Sequence, residues 1–504
     1  MKETVTIIML ICTSLLSGAQ SVDDPLSRDK MRKDFDIFKQ IRIKANSGLY
    51  KYRTEEQIDS IYNWAEKEIE KSNTYLDFYN IICHLTDFEG SLHNNTTLSK
   101  KQLNSLKKET RGYFPYPIKW VDGKWCINFN NGEIPLGSEL IEINSIPIAE
   151  VIQNLYKYYT TDGTNITGKR IGLRTHFSKY FRLNYGQKDA FNVAFKSPGT
   201  KAVETKTITS VGYTKYYRHF LSRHSRPYDQ KYYSDLDANQ KYQYEQIDSS
   251  TGIFTIYDLA IGGNEDSKEH KSYLIFLDSI FTSIKENHLK NLIVDVRHCG
   301  GGTDPNDVVT YSYLTSRTFQ ESKQIWASFQ KLPFLKYYDS PFPRFIRPFG
   351  VGKYNKEFRR RFPIEKDGKY YISKEEAEMQ VRKPNKQNFT GNIYILISPA
   401  VASAGSLFAA MVVGNDNSIA IGEETMGGYY GHNGHTPLGY VLPKSKIVID
   451  FSMDNIEQDV PAKLNQIYDR GIIPDYEVSQ TLEDFLNNED TQMNFTLDLI
   501  KNDY

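Results

Sequence analysis

Leu292-Ile293-Val294-Asp295-Val296-Arg297-His298-Cys299-Gly300-Gly301-Gly302 carries a short apolar run straight into three glycines. The run Leu292 to Val296 has the length of a strand, and it is too continuously apolar for a strand with one wet face. It reads as a strand covered on both sides. Two more such runs lie around it, Gly252-Ile253-Phe254-Thr255-Ile256-Tyr257 and Ile393-Tyr394-Ile395-Leu396-Ile397. Helical patterns from about Glu269 to Glu286 and from Ser406 to Val413 separate and follow them. This alternation predicts an α/β sheet with helices on its faces.

Two of these strands end in residues suited to chemistry. Glycines let the backbone of Gly300 and Gly301 approach a ligand and turn N–H groups inward, as an oxyanion hole requires. A phosphate cradle is the other use of such a turn, but no Gly-Lys-Ser/Thr follows, which excludes a P-loop. The second phrase is Ile397-Ser398-Pro399-Ala400-Val401-Ala402-Ser403-Ala404-Gly405-Ser406-Leu407-Phe408-Ala409-Ala410, a strand, a turn of small residues and a helix. Ser403 stands near the helix N-terminus, where small neighbours expose its hydroxyl and the dipole favours developing negative charge. A helix cap is the commoner use of serine in that place.

Together the phrases resemble the S41 family of tail-specific, or C-terminal processing, peptidases. That family carries "(L/V)xxDLRxNxGG" and then "xxSASExFAxA", matched by Asp295 to Gly302 and Val401 to Ala410. Ile421-Gly422-Glu423-Glu424-Thr425-Met426-Gly427-Gly428 resembles its "VGExTxGx", and Gly471-Ile472-Ile473-Pro474-Asp475-Tyr476-Glu477-Val478 its closing "GxxPDxxV". The resemblance spans roughly 252 to 480 and implies a ClpP/crotonase-like sheet-and-helix domain hydrolysing peptide bonds through an acyl-enzyme. It makes Ser403 the nucleophile, with the N–H groups of Ala404 and of Gly300 or Gly301 as oxyanion donors.

In the Ser/Lys branch of the family the basic lysine stands where this chain has Gly428, so a lysine dyad is not expected. The histidine-type, tricorn-like branch takes its base from a short N-terminal motif, which Ser91-Leu92-His93-Asn94 resembles. Imidazole suits that role because its ordinary pKa is near neutral. His432 and His435 compete with His93, whereas His84 lies in an apolar helical pattern and reads as packed. The pair His432/His435 shows no third ligand in sequence, so no metal is assigned, nor any organic cofactor. Asp469 is the candidate orienting acid, with Glu423 behind it.

The rest of the chain gives the setting. Lys2, the apolar run Val5 to Leu16 and the small residues Ser17-Gly18-Ala19 read as an export signal over 1–19, too short to span a bilayer. The mature protein is therefore expected beyond the cytoplasmic membrane, in periplasm, on the cell surface or in the medium. Residues 20–111 read as a helical region, opened at one helix by Thr54 with Gln57 three residues on. Residues 112–212 read as a β-rich, PDZ-like module, since Ile134 to Ile148 resembles the strand-turn-strand of PDZ domains, although a segment near Gly168 to Gln187 interrupts it. Residues 213–250, rich in tyrosine, read as a connector. The catalytic domain follows at 251–480, with an insertion at about 317–387 as lid or substrate rim, and a helical tail at 481–504. Lys and Arg number 62 against 62 Asp and Glu, which leaves no basic footprint for nucleic acid. Cys83, Cys126 and Cys299 have no metal or disulfide spacing and read as buried thiols. A protein or peptide substrate is the expected partner. An inactive peptide- or ligand-binding relative and an envelope scaffold are the rival readings.

Overall fold

The computed structural model describes residues 21–226, 236–340 and 347–502. In it the decisive run forms the strand Asn291–Asp295, buried at all five positions. It lies between Thr251–Ile256 and Asn392–Ile397, both parallel to it, and Ser418–Gly422 and Tyr476–Glu477 continue the parallel sheet beyond. Successive side chains serve two cores. Leu292 and Val294 pack with Leu277, Phe281, Phe408 and Met411 from the helices Lys268–Glu286 and Ala404–Val413. Ile293 faces the other way, to Tyr394, Leu396, Ile421 and Ile500 of the C-terminal helix Thr491–Asn502. The apolar run is continuous because both faces of the sheet are covered.

The tyrosine-rich stretch is more than a connector. It contains the helix Tyr213–Leu221 and ends in Tyr242–Gln246, an antiparallel edge strand on Thr251–Ile256. Tyr242 and Tyr244 pack against the core while Gln243 and Glu245 are exposed, the period-two pattern of a half-buried strand.

A second sheet is assembled from distant parts of the chain. Its long strand Val448–Gln458 pairs with Asn433–Val441, with Asn95–Thr97 and with Ser322–Ala327, a strand from the expected insertion. The 317–387 segment is thus built into the sheet at one end, and it continues with the helix Arg347–Arg361 and the hairpin Ile364–Lys366/Lys369–Tyr371. The N-terminal helices Arg28–Ala45, Glu55–Lys71 and Tyr75–Phe88 lie on this sheet, with Phe38, Ile41, Phe78 and Ile82 in one core with Ile449, Phe451 and Met453. Thr54 and Gln57 form the expected reciprocal cap of the second helix. Arg42, fully buried, donates to Glu89 at 2.9 Å and lies over the Phe451 ring.

A third sheet, antiparallel, is formed by Ile118–Val121, Lys124–Ile127, Glu139–Ile143, Ala190–Lys196 and Glu204–Thr209. The interrupting segment is the helix Lys169–Tyr185, whose Leu173, Phe177 and Phe181 fill the core of that sheet beside Val151 and Ile152 of the helix Ile148–Leu155. Cys83, Cys126 and Cys299 are buried free thiols, each pushed up to about 12 by burial. Among the described residues no helix is long and apolar enough to cross a membrane. The export segment 1–19 lies outside them.

Candidate active site

Ser403 sits where the strand Asn392–Ile397 turns into the helix Ala404–Val413, with φ 52° and ψ −133°. A positive φ is unusual for a residue with a Cβ, and such strain persists only where its surroundings hold it. Ser403 occupies the cap position of the helix, yet its hydroxyl makes no cap hydrogen bond. Oγ lies instead 3.1 Å from Nε2 of His93.

The glycine turn reaches the same point. Gly301 has φ +133°, and a Cβ there would lie 2.9 Å from the Cβ of Ser403. Glycine at 405 likewise lets the helix start abut the carbonyl of Cys299, 2.3 Å from where its Cβ would be. Ala404 is the first helical residue, so its N–H has no intrahelical acceptor. Gly300, at the head of the turn, faces open space. Gly301 and Ala404 therefore lie against the serine, while Gly300 leads into that turn without touching it.

His93 arrives from a separate body of the fold. After the helix Tyr75–Phe88 the chain turns at Gly90, φ +69°, and the strand Asn95–Thr97 then anchors it to Val448–Asp450 of the second sheet. Asp162, 1% exposed, fixes the turn between them by accepting from the N–H of Leu92 at 3.0 Å and from that of Gly428 at 3.1 Å. Thr160 adds a bond to the Asn94 carbonyl at 2.6 Å, and Asn94 donates to Glu89 at 2.6 Å. Burial pushes Asp162 up to about 7 against the pull of those two N–H groups. Burial also brings His93 down to about 4, opposed by the Asn433 backbone and assisted by the charge of His435. Sequence reasoning missed Asp162, because Thr161-Asp162-Gly163-Thr164 reads as an ordinary turn and nothing local links it to His93.

The other candidates are placed differently. His432 is buried against His93, ring centroids 4.9 Å apart, with neither ring nitrogen hydrogen-bonded. His435 lies 3.7 Å from Glu321 and 3.7 Å from Glu378; burial would lower its pKa, but Glu321, Asp304 and Asp454 outweigh it and hold it at about 10. His84 packs edge-on against Trp64. Asp469 is not brought to the imidazole: its carboxylate accepts from Thr164 at 3.0 Å, while Nδ1 of His93 has no hydrogen-bond partner among the described residues. Arg470, the neighbour of Asp469, is engaged separately, bidentate on Glu424. Glu423 pairs with Arg170 at 2.9 Å. At Gly428, a Cβ would face Tyr52, Gly431 and Arg470 rather than the serine.

Ser403, His93 and His432 open into a cleft of about 750 Å³. Its far wall is supplied by the 317–387 segment through Glu357, Arg360, Arg361 and Glu376 to Glu378. A hydroxyl held against an unprotonated imidazole, beside backbone N–H groups at a helix start, is an arrangement that can attack a carbonyl and hold the resulting oxyanion.

Residues 275–478 match the family model described as Peptidase family S41, and residues 110–211 match one described as PDZ domain. No curated protein matches the chain. Among solved structures, mature CPAF complexed with lactacystin is similar over 94% of this chain and 98% of its own, at 13% identity and TM-score 0.59. A CPAF mutant is similar over 94% and 96%, at 14% identity and TM-score 0.60. At these identities the likeness is one of fold. The chain carries a PDZ domain at 110–211 and, following it, a domain of peptidase family S41 at 275–478.

Proposed function

We propose that the protein is a serine peptidase of the histidine-type branch, in which Ser403 attacks the scissile carbonyl and His93 takes its proton. The observation that carries this reading is the 3.1 Å contact between Oγ and Nε2 at a serine held with φ 52° and excused from capping its helix. His93 then returns the proton to the leaving amine, and water repeats the cycle on the acyl-enzyme. The N–H groups of Ala404 and Gly301 receive the oxyanion, a contribution of about 3–4 kcal/mol per donor in comparable sites. The S41 match at 275–478 supports a peptide substrate. A fluorophosphonate probe tests the assignment: it should label wild-type protein at Ser403 and leave Ser403→Ala unlabelled. Wild-type protein that takes no label, and cleaves no peptide from a diverse library, would refute it.

One observation favours the rival reading of a peptide-binding relative without turnover. Nδ1 of His93 makes no hydrogen bond among the described residues, and the group that favours the charged form of the ring is the Asn433 backbone rather than a carboxylate. The two readings part on the same labelling experiment. We also propose export of the mature chain from residue 20 onward, on the strength of the 1–19 segment; N-terminal sequencing of exported protein starting at Met1 would overturn that.

A further inference from the structure

Across the cleft from His93, three side chains from separate parts of the chain converge. Asp304 follows the glycine turn by two residues, Glu321 precedes the strand Ser322–Ala327, and His435 lies in the strand Asn433–Val441 with φ 61°. One ligand atom from each falls within 4.8 Å of the others. Glu321 is 2% exposed, and its Oε1, which faces His435, has no hydrogen-bond partner; neither has either ring nitrogen of His435. The 3.7 Å between Nε2 and Oε1 is too long for a hydrogen bond. Two donors on one tetrahedral ion with bonds of 2.0–2.1 Å stand about 3.4 Å apart, so a contraction of a few tenths of an ångström would seat both.

The surroundings are short of positive charge. Asp307 and Asp454 are fully buried, each with one carboxylate oxygen unpartnered, and Glu378 adds a carboxylate 3.7 Å from Nδ1 of His435. Against these five carboxylates stand His435 and Arg361, the latter paired with Glu378 and Glu376. Buried carboxylates without partners are costly, and a bound cation is one of the few ways to relieve them. A mixed imidazole and carboxylate set suits a borderline ion such as Zn²⁺ better than Mg²⁺ or Ca²⁺, which prefer all-oxygen shells.

We propose that Asp304, Glu321 and His435 form a zinc-type divalent cation site on the wall of the Ser403 cleft. The ion ties the turn that carries Gly300 to Gly302 to the strand that follows His432, with its remaining coordination positions toward the cleft. None of its ligands is Ser403 or His93, so the site stands or falls apart from the peptidase reading. The test uses Ser403→Ala protein, stripped with chelator and titrated with ZnCl2 by calorimetry and with CoCl2 by visible absorption. One equivalent should bind, raise the melting temperature and give the d–d bands of a cobalt ion with nitrogen and oxygen donors. Asp304→Asn, an exposed position that leaves the fold intact, should weaken zinc at least tenfold, and His435→Gln at least a hundredfold. His432→Gln should leave binding unchanged. Absence of zinc and cobalt binding would overturn the site; so would full affinity in Asp304→Asn and His435→Gln, or a loss confined to His432→Gln, which would move the ion to the neighbouring His93/His432 pair.

Discussion

Replacing Asp162 by asparagine tests whether His93 is held in place by a residue of the PDZ domain. The carboxylate accepts two buried N–H groups, from Leu92 at 3.0 Å and Gly428 at 3.1 Å. Asparagine keeps one acceptor and turns a donor toward the other N–H, leaving it unsatisfied at a penalty of about 1–3 kcal/mol. If the chain relieves that penalty by letting the His93 turn swing away, the fraction of molecules with His93 on Ser403 falls by roughly 5- to 150-fold, at 1.4 kcal/mol per decade. The loss should appear in kcat/KM on a peptide substrate and in the rate of fluorophosphonate labelling. pH gives a second signature. Asp162 is pushed up to about 7, so in wild-type protein both N–H groups find acceptors only as pH rises through that value, and activity should rise with it. Asparagine does not titrate, and the step near pH 7 should vanish. Stability is the poorer readout, because a raised carboxylate pKa makes the ionised group a burden on the fold that grows between about pH 4 and 7, and the Asp162→Asn change removes this burden while adding an unsatisfied N–H. An Asp162→Asn enzyme with wild-type kcat/KM, labelling rate and pH profile would refute the reasoning.

Ser403→Ala and His93→Ala should each lower kcat by roughly 10⁴–10⁶-fold, and the double variant should lose little more, since the pair acts as a unit. Because burial brings His93 down to about 4, wild-type activity should also fall as pH drops through that value and the base is protonated, a second and lower step in the same profile. Gly301→Ala places a Cβ 2.9 Å from Ser403 Cβ at a φ of +133°, and should cut kcat/KM at least tenfold while KM changes little, as steady-state kinetics would show. Cys83, Cys126 and Cys299, each pushed up to about 12, should resist a disulfide reagent at pH 8 until denaturant unfolds the chain; rapid reaction of any one in native protein would contradict its burial.

The strands and helices around Ser403 were legible because each is decided locally: continuous apolar runs for strands covered on both faces, a 3.6-residue period for helices, glycine where the backbone must pass close. The reading failed where short polar segments take their structure from a partner. Tyr242–Gln246 is a strand only because Thr251–Ile256 offers an edge, and Ser322–Ala327 leaves the supposed insertion only because Val448–Gln458 pairs with it. The orienting acid was misplaced for a similar reason. Asp469 stands next to the right motif, but its carboxylate is engaged by Thr164, a residue far away in the chain.

The amino-acid sequence by itself determined the α/β sheet, the serine at a strand-to-helix turn, the glycines beside it and the absence of a lysine at position 428. These rest on neighbours within a dozen residues, which any chain with this pattern would bring together. Only the tertiary structure decided which histidine meets Ser403, that Asp162 accepts from the turn carrying it, and that Asp304, Glu321 and His435 converge on one wall of the cleft. Such contacts join residues that share no local period or turn, and they exist because three separate hydrophobic cores, each closing on its own, set the bodies that carry them side by side.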